Sequence, residues 1–417
     1  MRPTEGTMSG QFFEEDDMKT YTHGMMFIVL TLCAVCWGCA SRQVATCTTP
    51  EDNPKLHYVT GMELVGKGDF EAGRQRLERA ISCSADFSPA YDGLAIAAAH
   101  IAADATDPAV RAAEEGRAEG YLKKALRDTR NNEDRFAHLI AVIRSQTALG
   151  GKNFIGTAKA AYGRADGLDI KEADLLYYQG KEAIDYYMGI AYRQASEFRE
   201  AKGRFEAVLN AKKAGKWNGP ADRAWKETDR VVRAMAGITV SDLGRKIAVK
   251  RAVTRAELTA LLTHDFAPAA LSPKGAGNRP HPSPVPADVA SSPIRDEILG
   301  ALNWNLRGLE PSYDAASGAY LFNGARAVKR GEMALLLEDM VIRIAGDEKI
   351  ASAYLGHEKS PFTDIPPTSR FYNAAMNATT RGLMEGEAGG VFLVDEPVSG
   401  ADAVLALRSL QQKMQGH

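Results

Sequence analysis

The sequence predicts a mostly α-helical protein in two parts, a stack of paired helices over about 55–219 followed by a triplicated helical module over about 220–412. Two repeat signals predict it. The run Val253-Thr254-Arg255-Ala256-Glu257 returns as Val328-Lys329-Arg330-Gly331-Glu332 and as Val398-Ser399-Gly400-Ala401-Asp402, each after a Gly-apolar pair and before an apolar helical stretch. Upstream, small and aromatic residues restart at an interval of 34 between Gly61 and Ala95. Internal repeats of this length mean units that bury their apolar faces only against one another.

Residues 1–17 carry Glu5, Glu14, Glu15, Asp16 and Asp17 against a single Arg2, the opposite of a basic signal-peptide start, so they read as a doubtful N-terminal extension and translation is expected to begin at Met18. Lys19 then precedes an apolar run, Gly24 to Gly38, and the small-residue sequence Gly38-Cys39-Ala40-Ser41. A short apolar core behind a basic residue is a secretory signal, here 18–38, and is shorter than a bilayer span of about 20 apolar residues. Gly-Cys-Ala-Ser resembles the bacterial lipoprotein processing site, although Cys36 stands where Leu is usual. The resemblance implies lipidation at Cys39, a membrane held through that lipid and, without Asp after the cysteine, an outer-membrane address facing the periplasm or the cell surface. Residues 39–54 are a linker. In an oxidising compartment Cys47 could pair with Cys83, but a cysteine at a helix end reads first as an ordinary buried thiol.

Over 55–219 the best unit signals are Gly61 with Gly68-Asp69-Phe70, Leu77 and Ala80, and Gly189 with Ser196-Glu197-Phe198, Ala201, Phe205 and Val208; Tyr91, Leu94 and Ala95 restart the pattern. Asp104–Asp107 and Arg127–Asn132 read as loops, and Gly150-Gly151 breaks a helix. These offsets resemble tetratricopeptide (TPR) repeats, with three to four units. That resemblance implies an α-solenoid whose concave face takes an extended peptide or helix of an envelope protein. Tyr177-Tyr178 and Tyr186-Tyr187 either line that face or belong to the core, and Lys212–Lys216 reads as a solvated helix end.

Ala221–Met235 is expected to close the stack and to open the next module. The Pro-rich segment 268–293 reads as an extended connector between the first segment, about 220–266, and the second, about 286–344; the third covers about 361–412. Thr254 and Glu257 have the spacing of a capping box, and Ser399 with Asp402 approximates it; Lys329 brings no capping oxygen, so the second helix start is the weaker. Arg255 and Arg330 fall in the first turn, where free amides already favour anions, so each is either a carboxylate or phosphate site or a solvated charge.

The triplet resembles the S-layer homology (SLH) domain family. The third copy matches best, through Phe362-Thr363-Asp364, Phe371, Gly382-Leu383-Met384-Glu385-Gly386, Val391-Phe392 and Val398. The second keeps Asp288, Gly308-Leu309 and Tyr320-Leu321-Phe322, and the first keeps Trp225, Gly237-Ile238 and the clean Val-Thr-Arg-Ala-Glu. The resemblance implies a three-lobed, mainly helical module that binds cell-wall glycan, peptidoglycan or a secondary polymer, in grooves between lobes. Carried over, the glycan-facing candidates are Arg255, Arg330, Trp225, Asp288, Asp364 and Phe371. Gly400 replaces the third arginine, and Arg295-Asp296 stands where the second copy should carry an aromatic residue.

Other function classes fare poorly. A net charge of −2 argues against nucleic-acid binding. No histidine pair has metal-ligand spacing, and no phosphate loop, dinucleotide fingerprint or Gly-Xaa-Ser-Xaa-Gly elbow is present, so neither catalysis, cofactor nor metal is expected. Three readings remain: a lipid-anchored wall-binding protein that recruits a partner through its repeats, a scaffold subunit whose lobes bind protein rather than glycan, and a lipoprotein of polysaccharide export or secretion.

Overall fold

The computed structural model describes residues 47, 49–50, 52–211, 214–236, 241–266, 285–387 and 389–415. The extension 1–17, the signal 18–38, Cys39, Lys212-Lys213, Gly237-Ile238 and the connector residues 268–284 lie outside the described residues. The protein is mainly α-helical. Its only sheet among the described residues is the two-stranded hairpin of β1 (Ser312–Asp314) and β2 (Ala319–Leu321).

The first eight helices form four consecutive pairs: α1 (Pro54–Gly66) on α2 (Phe70–Cys83), α3 (Ser88–Asp104) on α4 (Pro108–Asp128), α5 (Asn132–Leu149) on α6 (Phe154–Asp166), and α7 (Ala183–Gln194) on α8 (Phe198–Ala211). The first member of each pair also touches the first member of the next. Small residues set the closeness within pairs. A Cβ on Gly61 would stand 2.8 Å from Leu77 Cγ, and one on Gly189 only 2.5 Å from Phe205 Cε1. Starts and stops follow local chemistry: Asn53, Asp69, Asp107 and Asn131 cap with side-chain oxygens, and Gly150 ends α5 in the left-handed region at φ 64°.

The face shared by α1, α3, α5 and α7 is not an empty groove. The chain between α6 and α7 lays the buried Tyr177 and Tyr178 against it, Trp217 donates from Nε1 to the Tyr178 carbonyl at 2.6 Å, and Tyr186 stacks on Trp217. Lys216, expected as a solvated charge, donates 2.7 Å to Glu63 and 2.9 Å to the Tyr177 carbonyl, tying the end of the stack to its first helix. Aromatic area outweighs an open groove here, because each such ring removes on the order of 150–250 Å² from water.

Cys83 is not a free thiol. It is bonded to Cys47, with Cα atoms 5.4 Å apart, and so fastens the linker to the end of α2. Beside it Asp52 accepts from His57 at 2.7 Å and also from Arg79, whose guanidinium holds the carboxyl down at about 2.

α9 (Asn218–Met235) belongs to two cores. Ala221 and Ala224 pack with the repeat helices, whereas Ala234, with Val231 and Met235 beside it, packs with the C-terminal module. That second core is built from α10 (Asp242–Ala248), α11 (Arg255–Leu261), α12 (Arg295–Asn303), α13 (Arg330–Ala345), α14 (Tyr372–Thr380) and α15 (Gly400–Gln415). The last residues of the expected extended connector are folded: Ala287–Val289 make a 3-10 turn, and Val289 is buried in the core.

Candidate functional site: the threefold junction and its cleft

The three copies of the run meet at one point. Val328 N donates to Val253 O at 2.9 Å, Val253 N to Val398 O at 2.9 Å, and Val398 N to Val328 O at 2.8 Å. Each valine is fully buried. The result is a closed ring of three main-chain hydrogen bonds, which gives the junction threefold character.

From this ring each helix starts outward, and its first amides are received by a neighbouring segment. Arg255 N donates to Arg326 O and Ala256 N to Gly324 O; Arg330 N donates to Glu396 O and Gly331 N to Val394 O, all at 2.9 Å. Gly400 N donates 2.9 Å to Lys250 O. Four amides at a helix start have no intrahelical partner. Here several of them end on another segment, so helix initiation and tertiary closure are one event.

Side chains complete the starts unequally. Thr254 and Glu257 make a full capping box. Ser399 Oγ accepts from Asp402 N at 3.0 Å and donates to the Asp402 carboxylate at 2.7 Å. The second copy, for which the lack of a capping oxygen at Lys329 predicts a weak start, nevertheless opens the 16-residue α13. Glu332 reaches back to Lys329 N at 2.9 Å, and the third segment's carbonyls take the next two amides.

Both arginines are buried, not solvated charges on an open helix start. Arg255, 2% exposed, donates from Nε to Phe322 O at 2.8 Å, from Nη1 to Gly308 O at 2.8 Å and from Nη2 to Glu310 O at 3.0 Å, with its guanidinium 4.7 Å from the Phe322 ring centre. Arg330 repeats the device one segment on, donating 2.6 Å to Phe392 O and 2.6 Å to Glu385 O with Phe392 beneath it. Burial, with the Arg326 guanidinium adding to it, pushes Arg255 down to about 10, still well above neutral; burial lowers Arg330 as well. Each arginine therefore remains a cation solvated largely by main-chain carbonyls, and each clamps the segment next in the chain.

The two aspartates serve the same two segments from the other side. Asp288 accepts from Phe322 N and Asn323 N, both at 2.7 Å, and Asp364 accepts from Phe392 N at 2.8 Å and Val394 N at 3.2 Å. Burial pushes the Asp364 carboxyl up, but these amides outweigh it and hold it below the usual range. Phe371 packs on Gly331, where a Cβ would lie 2.9 Å from its ring. Trp225 departs from its expected place. It turns towards α8, donating 3.0 Å to Glu206 under the Lys202 ammonium, so it belongs to the repeat core and not to the wall of a C-terminal groove.

Gly400 has a steric cause. A Cβ there would stand 1.7 Å from the main-chain oxygen of Ile247 in α10. Where the second and third segments run extended past Phe322 and Phe392, the first is helical, and its backbone occupies the space a third arginine would need.

What stays open is a cleft of about 880 Å³ where α7 and α9 face the junction. Arg193, Arg230, Lys250 and Arg251 line it with Glu227, Glu387, Glu396 and Asp402, and Arg330 reaches it from below. Arg230 lies 2.7 Å from Glu387 and 3.8 Å from Asp402, so cations and carboxylates largely balance. Such a lining suits a hydroxylated ligand held by many hydrogen bonds. The cations from the repeat helices were invisible as site residues in the sequence, since they belong to no motif.

No helix among the described residues is long and apolar enough to cross a membrane. No curated protein and no solved structure matches the chain. Residues 361–404, the third segment from the entry of Asp364 to the start of α15, match the S-layer homology domain, and a domain of this kind implies association with the cell wall or envelope.

Proposed function

We propose that the protein is a non-catalytic cell-envelope lipoprotein, held in the outer membrane through Cys39, that engages peptidoglycan or a wall polysaccharide with its C-terminal module and presents its TPR-like helices to an envelope protein. The supporting observation is the S-layer homology match at 361–404 together with the recurrence of its framework. The aspartate clasp of Asp364 returns at Asp288, the arginine clamp occurs twice and the valine ring joins all three segments, which supports reading the second segment, and through the ring the first, as SLH-like. The glycan contact in this reading is the cleft at the junction. Because the face of the repeat stack is filled by Tyr177, Tyr178 and Trp217, the partner is met by outer helix surfaces instead of an extended groove.

A scaffold reading, in which the lobes bind protein, draws on a separate observation: the guanidinium donors of Arg255 are taken by main-chain carbonyls. Sedimentation of the full chain with isolated peptidoglycan sacculi separates the two. The wall-binding reading expects co-sedimentation that is weakened by Lys250→Ala with Arg251→Ala. A chain that stays in the supernatant defeats it, and the scaffold reading then expects specific envelope proteins to co-purify and to be lost on deletion of residues 55–215.

A further inference from the structure

The second segment carries something the third lacks. Between Gly308 and Arg330 there are four more residues than between Gly382 and Gly400, and the extra length forms the β1–β2 hairpin. At its centre Tyr313 and Tyr320 stand directly opposite one another, their ring centres 5.4 Å apart and nearly edge-to-face. They are 61% and 42% exposed, among the largest exposed hydrophobic groups of the described residues.

The hairpin is held by more than its cross-strand ring pair. Asp314 accepts from Ser317 N at 2.8 Å and its carbonyl accepts from Gly318 N at 2.9 Å, where φ is +67°. At the root Asn323 donates 3.2 Å to Ser312 Oγ, Asp288 clasps the Phe322 and Asn323 amides, and Phe322 is buried under Arg255. Two solvent-facing aromatic rings thus stand on a hairpin that its turn and its root already brace.

We propose that the Tyr313–Tyr320 pair forms an aromatic contact for a saccharide unit of the wall polymer, the exposed face of one ring taking the sugar while the other ring flanks it, a second contact outside the cleft; this rests on the wall-binding reading. The area decides the class of occupant. The exposed parts of the two residues sum to about one tyrosine, roughly 150–250 Å². A specific protein interface takes about 800 Å² per partner. One sugar ring presents an apolar face of C–H groups on this scale, with hydroxyls around its edge. The tyrosine hydroxyls supply polar partners for that edge.

The test is sacculus sedimentation of the full chain carrying Tyr313→Ala with Tyr320→Ala, beside Tyr313→Phe with Tyr320→Phe and the Lys250→Ala, Arg251→Ala pair. Circular dichroism and the melting temperature check the fold, which these exposed positions leave intact. Loss of two tyrosine contacts should raise the half-saturating amount of sacculi at least about fivefold, while the phenylalanine pair stays within about twofold because ring faces remain. Unchanged binding of the alanine pair, with the cleft variant impaired, overturns the platform and spares the wall-binding reading. A wild-type chain that does not sediment overturns both.

Discussion

Replacing Arg255 by alanine separates a clamp from a ligand site. The change removes three donors from the carbonyls of Phe322, Gly308 and Glu310 and leaves a void beside Phe322. A buried acceptor left unpaired costs about 1–3 kcal/mol. The Phe322 and Gly308 contacts are buried and the Glu310 contact only partly so, which puts the gross loss at about 2–6 kcal/mol. Against that, the cation no longer has to be held out of water, and solvent enters the void to reach some carbonyls. We expect a net loss of about 3 kcal/mol, which for a unit of this size lowers the melting temperature by about 6–12 °C. Arg255→Lys, with one point charge in place of a planar fork, should cost about half as much. Differential scanning calorimetry reads the C-terminal transition, and sacculus sedimentation at a temperature where both proteins are folded reads binding. A melting temperature within about 1 °C of wild type would refute the clamp. Normal melting with binding lost would restore the guanidinium as a ligand contact.

Gly400→Ala should be far more damaging than glycine-to-alanine changes on an exposed helix. Its Cβ would meet the Ile247 main-chain oxygen at 1.7 Å, and neither backbone can give way without breaking the bond from Gly400 N to Lys250 O. A loss above about 4 kcal/mol is expected, seen as loss of the C-terminal melting transition; a well-folded variant would show that α10 can retreat. Asp364→Asn should cost about 1–2 kcal/mol, because an amide oxygen is a weaker acceptor than a carboxylate for the Phe392 and Val394 amides. Since Asp364 has a depressed folded-state pKa, its contribution is fully present above the unfolded value of about 4 and is lost as pH falls through the lower, folded value. The gap between variant and wild type should therefore be constant above the unfolded value and narrow as pH falls below it, and a gap that stays constant down to acid unfolding would count against the clasp.

Much of the fold was legible in local chemistry. Gly61 and Gly189 announced the close helix pairs because only a missing side chain admits Leu77 or Phe205 at that distance. Thr254 with Glu257 announced a helix start because a capping box needs nothing beyond its own four residues. The site was less legible. Asp288 and Asp364 were found, but as groove walls; their carboxylates are spent on main-chain amides that lie 28 to 35 residues away. Trp225 carried no sign of which of two cores it would join, since α9 serves both. Tyr320 stood out only as part of Tyr320-Leu321-Phe322, and nothing local to it shows that a hairpin turns it and Tyr313 to solvent.

The sequence by itself determined what is settled within a turn of helix or by repetition: mainly α architecture, where helices begin, which small residues mark pairing, and that three copies of one run exist. Tertiary structure decided what those copies do. The ring of Val253, Val328 and Val398 depends on all three meeting at once, and only then are the arginines enclosed, their donors turned to carbonyls of the next segment, and the third position closed to anything larger than glycine. The pairing of Cys47 with Cys83 and the filling of the repeat face were decided the same way. The reason is physical: a cap is satisfied by neighbours in the chain, whereas burial and main-chain hydrogen bonding across segments depend on which distant surfaces arrive together.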